Sequence, residues 1–575
     1  MKSSNKLTLA AALAFAAIAV GCSGGDNGTD IVDGDVAGDV SQDVGSDIGN
    51  EVAADAADDV PVVKTGYSAG WGVTDVSGVT GTMMGGYGFC MNAPDSCRYA
   101  EGVHDPLLAR AIAVRDNASG EAVILITVDV VGILRYDIDL IHAAAPARFK
   151  EAFGIDGFDG RRIVMTASHT HHSTDTMGLW GPLDGSGRDE EYATHMREQV
   201  LEAAVAAWAD LKPVNIFYTG TGSAPNYDKD KWSDDQVIQT LRFADRETGK
   251  TRFTLTRWSA HVTNYPQQLQ AFSAGHHGTF SKAMEELTGA PAALFQGAIG
   301  SVYSEGYMFD EPGQPACEMD DMFADGYQDP DLRPEFISAV TCMGSGLAKR
   351  AFAAIQDEVA VPETGVKNRF HKFAFHPETK YPVMFDWTMF SYVEMGPLHF
   401  DVPPADQIDN PESTMDTQFN WVTIGDVNLI TTPGEAFPLF ADQIRHVLSR
   451  SSDKNFVLGL GQDWLGYIPA WQQWQVEDDA IVYNKALAGG QYLPKRYLEE
   501  LQTLVTTETG LPADCTGDIK KCSDDGNQIM ECVGGIWIVN TDCFAGFGQI
   551  CDDTLDGGDG IGCVNRWAWH QPVWS

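Results

Sequence analysis

Positive charge is scarce: 38 Lys and Arg face 81 Asp and Glu over 575 residues, a formal net charge of −43. Such a chain repels phosphate backbones and anionic headgroups, which excludes a nucleic-acid partner and broad lipid adsorption but not a covalent lipid anchor. Membrane-spanning hydrophobicity is also wanting, because the apolar stretch Leu7–Val20 covers only 14 residues, short of the ~20 a spanning helix needs. None of the cysteines is spaced C-x-x-C, which argues against a zinc ribbon. The H-E-x-x-H signature of zinc-peptidase helices is absent too. Aromatic residues are plentiful, with 14 Trp, 17 Tyr and 27 Phe, and this excludes wholesale disorder.

Lys2 and Lys6 precede the apolar stretch, which ends in Ala19-Val20-Gly21-Cys22. A positive start and a short apolar region read as a signal peptide over 1–21. Its end resembles a bacterial lipobox, which implies that Cys22 is the lipid-attachment site and the mature N-terminus. Ser23 follows, and by the same resemblance the absence of an aspartate there favours the outer membrane of a bacterial cell envelope. Residues 23–60 hold eleven acidic residues and no Lys or Arg, with Asp35, Asp39, Asp43 and Asp47 recurring every fourth position. The repeat lacks the Gly and bidentate Glu of a calcium loop, so residues 22–65 read as a self-repelling tether.

Eleven cysteines minus Cys22 leave ten, an even number that suits disulfides outside the cytosol. Cys90/Cys97 and Cys317/Cys342 form near pairs, and six crowd between Cys515 and Cys563. Residues 509–575 therefore read as a small Cys-rich module and tail that three disulfides would stabilise.

Between them, residues 66–508 alternate strand-like and helical patterns. Ala122–Val131, Arg162–Ala167, Val427–Thr431 and Asn455–Gly459 read as buried strands, and Glu190–Leu211 as a long helix. The expected class is α/β: mixed β-sheets layered with helices in one large domain.

Chemistry concentrates in Ser168-His169-Thr170-His171-His172, directly after a strand. On an extended backbone His169 and His171 would share a face, as a metal ligand and a neighbour that holds a water or substrate group. His261 follows another strand, and Glu435 follows the turn Thr432-Pro433-Gly434 into a helix. Read alone, Glu435 is equally a partner for that helix's dipole or a site carboxylate.

The sequence then resembles the neutral/alkaline ceramidase family. Met83-Met84-Gly85-Gly86-Tyr87-Gly88, Gly102-Val103-His104 through Arg110-Ala111, Ser168-His169-Thr170-His171, Pro433-Gly434-Glu435 and Gly459–Ile468 are similar to five of its landmarks, in order. The resemblance implies a zinc ion held by His169, His261, Glu435 and Tyr467, with His171 orienting the water or stabilising an oxyanion. It also implies a zinc-activated water attacking an amide bond of ceramide or a related N-acyl lipid.

Two departures qualify it. The family's serine-bearing segment corresponds to Phe295–Tyr303, with no serine before Ser301, and a family aspartate is replaced in Ser273-Ala274-Gly275-His276-His277-Gly278. His276 and His277 are expected as exposed loop residues. The alternatives are a metal-dependent esterase or lactonase on the same scaffold, or a surface lipoprotein that keeps the fold as a binding module.

Overall fold

The computed structural model describes residues 65–88, 90, 97–182, 186–229, 232–304, 306–309, 334–377, 414–475, 484–485, 487–517, 519–524, 527–542, 549–552 and 562–565. Residues 1–64, with the proposed signal peptide, Cys22 and the acidic tether, lie outside them.

The chain opens with β1 (Tyr67–Asp75), β2 (Gly102–Val103), β3 (Leu108–Asp116), β4 (Ala122–Val128), α1 (Arg135–Phe153) and β5 (Ile163–Ala167). Next come α2 (Glu190–Ala209), β6 (Lys212–Ser223), β7 (Tyr227–Asp228), β8 (Val237–Asp245) and β9 (Thr251–Trp258). Then follow β10 (Ala271–Phe272), α3 (Gly275–Thr288), β11 (Ala292–Gln296), β12 (Val302–Tyr303), α4 (Pro334–Ala354) and β13 (Val359–Ala360). The second half holds β14 (Val366–Phe375), β15 (Met415–Ile424), β16 (Val427–Thr431), β17 (Glu435–Ala436), α5 (Pro438–Leu448), β18 (Lys454–Leu458) and β19 (Tyr467–Ile468). It ends with α6 (Trp471–Trp474), α7 (Tyr492–Thr509), β20 (Lys520–Cys522), β21 (Gln528–Val533), β22 (Ile536–Asp542), β23 (Gln549–Asp552) and β24 (Gly562–Asn565).

A large mixed sheet runs β11-β9-β8-β6-β1-β3-β4-β5, with β13 added beside β6. A second runs β14-β15-β16-β18. Alternation decides what each face does. In β4, Val123 and Leu125 enter an apolar layer shared with Val422, Ile424, Leu429 and Phe456 of the second sheet. Ile124 and Ile126 point the other way, to Ile138, Phe149 and Val200 of α1 and α2. The second sheet's outer face, with Trp421 and Ile430, meets Phe440 of α5 and Tyr497 of α7. The expected α/β class is therefore realised as a helix–sheet–sheet–helix sandwich. Asp189 starts α2 by accepting from the backbone N–H groups of Glu191 and Tyr192, and Glu190 and Glu191 suit its positive end.

The letters Gly66-Tyr67-Ser68-Ala69-Gly70 spell G-x-S-x-G, but Ser68 lies within β1 with its hydroxyl on Asn117, so no nucleophile elbow forms. Disulfides join Cys90 to Cys97, Cys515 to Cys532 and Cys522 to Cys551. Toward the C-terminus, Val533, Ile536 and Ile538 bury into the same apolar core as α7. Among the described residues, no helix is long and apolar enough to cross a membrane.

Candidate metal centre

The site forms where strands of both sheets end. His169 and His171 follow β5, which pairs in parallel with β4, and His261 follows β9. Glu435 follows β16 through the Pro433-Gly434 turn. It does not start the helix, as the sequence reading placed it. It forms the two-residue strand β17, whose register partner in β19 is Tyr467. Two of the four expected ligands are thus neighbours in one ladder, and α5 begins only after Phe437.

The expected reason for pairing His169 with His171 is corrected. His169 is not extended but left-handed, with φ 65°. Its backbone N–H donates to Val130 O, and its Nδ1 donates to Val131 O at 2.7 Å, which turns the ring inward. The two imidazoles still meet, Nε2 to Nε2, at 3.2 Å. Leu460 (φ 53°) and Gln462 (φ 68°), in the loop after β18, also have positive φ. Backbone strain of this kind costs about 1–3 kcal/mol per residue and tends to gather at functional sites.

His261 Nδ1 donates to Val302 O at 3.2 Å, so its Nε2 also presents a lone pair to the centre. Fixing Nδ1 on a carbonyl is how metal-binding imidazoles are commonly oriented. Glu435 Oε2 lies 3.2 Å from His261 Nε2 and 3.6 Å from His169 Nε2, yet it is buried without a well-formed hydrogen bond. Ligand atoms of His169, His171 and His261 all lie within 4.8 Å of one another. A tetrahedral ion with bonds of ~2.0–2.1 Å would space its ligands by roughly 3.3 Å, close to these separations. An orphaned carboxylate oxygen among imidazole lone pairs fits a cation, and two imidazoles with a carboxylate suit zinc.

Electrostatics agree with that donor set. Burial drives His169 down and His171 well down from the usual imidazole range. Burial alone would raise Glu435, but His169 and His261 outweigh it and hold the carboxyl below its usual range. His171 is only partly buried, whereas His169 and His261 are buried.

His172 does not join the group. It is buried and its Nε2 donates to Pro266 O at 3.1 Å. Nor are His276 and His277 exposed loop residues. Both are buried in the first turn of α3, with His276 Nδ1 2.6 Å from Asn264 Oδ1 and His277 Nδ1 donating to Leu294 O. Burial pushes His276 down to about 3. Packing against β9 and β11 overrode the poor helix propensity of the Gly-His-His-Gly run.

Sequence reasoning missed the groups that hold His171. Arg98 donates to the carbonyls of His171, Gly85, Gln267 and Leu269 at 3.1, 3.2, 2.8 and 3.2 Å. Burial lowers its pKa to about 10, which leaves it charged. Tyr87 packs edge-on to His171 at 4.8 Å and donates to Tyr265 O. Gly86, at φ 100°, lies so near that a Cβ would sit 2.4 Å from His171 Cγ, which explains the glycine in the Met83–Gly88 landmark. Tyr303 stacks on His261, with centroids 4.7 Å apart.

No family model matches the chain, and no curated protein does. Solved structures do match. One is the neutral ceramidase from Pseudomonas aeruginosa, at 16% identity and a TM-score of 0.57, covering 79% of this chain and 76% of that one. Another is a ceramidase complexed with C2, at 15% identity and 0.56, covering 81% and 78%. At these identities the likeness is one of fold: this chain folds as neutral ceramidases do.

Proposed function

We propose that the protein is a zinc-dependent hydrolase that cleaves an N-acyl amide bond, in ceramide or a related lipid. The observation that carries this reading is the convergence of three imidazoles and an orphaned carboxylate at the strand ends of a ceramidase-like fold. His169, His261 and Glu435 would hold the ion, with Tyr467 beside Glu435 as the fourth ligand. Bound there, zinc supplies Lewis-acid polarisation of an acyl carbonyl and acidification of a water. The backbone carbonyls of Val131 and Val302 keep two of the imidazoles aimed at the centre. His171, partly buried with its Nε2 3.2 Å from that of His169, takes a proton from the attacking water or hydrogen-bonds the developing oxyanion. Arg98 and Tyr87 fix its position.

The test is metal analysis together with turnover. Purified protein is expected to carry about one zinc per chain, as a single four-ligand site requires. It should hydrolyse a fluorescent ceramide or a simpler N-acyl amide, and a chelator should stop it. Faster turnover of esters or lactones would move the substrate class. Full zinc occupancy with no turnover on any of these would leave a binding module and sink the hydrolase reading.

We further propose that Cys22 carries a lipid that anchors the protein in a bacterial outer membrane. Cys22→Ser is expected to move most of the protein from the membrane to the soluble fraction. Unchanged fractionation would exclude Cys22 as the attachment point.

A further inference from the structure

A single side chain bridges the two loops that carry His169 and His261. Gln296 ends β11, whose register partner in β9 is Trp258, and it is fully buried. Its Nε2 donates to Ser168 O and to Ala260 O, each at 2.9 Å. Ser168 and Ala260 immediately precede His169 and His261. Its Oε1 accepts from the backbone N–H groups of Gly297 and Ala260 at 3.3 and 3.4 Å.

The orientation of this amide is not arbitrary. Both carbonyls only accept, so the nitrogen must face them. A third acceptor agrees: His277 Nδ1 donates to Leu294 O, which leaves its Nε2 bare, and that atom lies 3.4 Å from Gln296 Nε2. One NH2 group therefore sits among three lone-pair acceptors, with both hydrogens committed to the ligand-bearing loops.

We infer that Gln296 is a positioning residue for the metal centre: its carboxamide sets the separation of the His169 and His261 imidazoles. It touches neither ion nor substrate. The inference rests on the zinc reading above and adds the group that gauges the site. Without it two buried carbonyls lose a donor, and the loops keep only backbone contacts such as that of Thr170 and His171 with Val262. Gln296→Met keeps most of the volume and removes both donors. Gln296→Glu keeps the shape but turns an oxygen toward three acceptors.

The experiment loads wild-type protein and both variants with cobalt in place of zinc. It records the visible cobalt bands, metal affinity by chelator competition, and thermal unfolding of the metal-free forms. Metal affinity is expected to fall roughly 10–100-fold, as it does when groups that orient metal ligands are lost. The cobalt bands should shift in position or intensity, with the larger change in Gln296→Glu. Variants that unfold earlier yet keep the wild-type bands and affinity would overturn the inference and leave Gln296 a packing residue. Wild-type protein that binds neither metal would instead overturn the zinc reading, and this inference with it.

Discussion

Glu435→Gln is expected to lower zinc affinity by more than ~100-fold, beyond the 10–100-fold typical of losing an outer-sphere partner. Hydrolysis should be lost with the metal. The glutamine matches the buried carboxylate in shape but removes the negative charge that lies 3.2 and 3.6 Å from the His261 and His169 Nε2 atoms. Chelator competition measures the affinity, and circular dichroism shows that the fold survives. If the variant holds zinc as tightly as wild type, Glu435 is no ligand and the centre reduces to the three histidines.

Asp235→Asn should cost about 3–5 kcal/mol of stability, because removing one member of a buried ion pair strands the other. Arg257 is fully buried in β9 and pairs with Asp235, while Arg445 of α5 reaches both Asp235 oxygens at 2.9 Å. Arg257 Nε also donates to Val457 O of β18 at 3.1 Å. The cluster thus ties the strand leading to His261 to the second sheet and to the helix after Glu435. Burial alone would raise the Asp235 carboxyl, but the two guanidiniums overcome it and hold it well below the usual range. A depressed folded pKa means that the contribution is complete above the unfolded value of ~3.9 and fades as pH falls through the folded one. Denaturant unfolding should therefore show the full gap between wild type and variant at pH 7 and a shrinking gap below about pH 4. A gap independent of pH would assign the loss to packing instead.

Much of this was legible beforehand for definite reasons. Continuous Val/Ile runs marked β4, β5 and β16 as buried strands, and His169 and Glu435 stood just after such runs. What could not be read was three-dimensional. The left-handed turn at His169 depends on carbonyls of residues 130 and 131, and no local signal asks a histidine for positive φ. Glycines around His276 and His277 signalled a loop, whereas packing made them helical core. Gln296 escaped notice because an amide is not a metal-ligand type and its partners lie 128 and 36 residues away.

His169, His171 and His261 hang from the large sheet, and Glu435 from the smaller one. An ion gripped by both would act as a rivet through the sandwich, coupling its melting to the surrounding metal supply. By mass action, each tenfold rise in free zinc above the dissociation constant adds ~1.4 kcal/mol to the folded state. The ligands of that ion would then govern how long the protein lasts in a metal-poor environment, quite apart from any chemistry at the site.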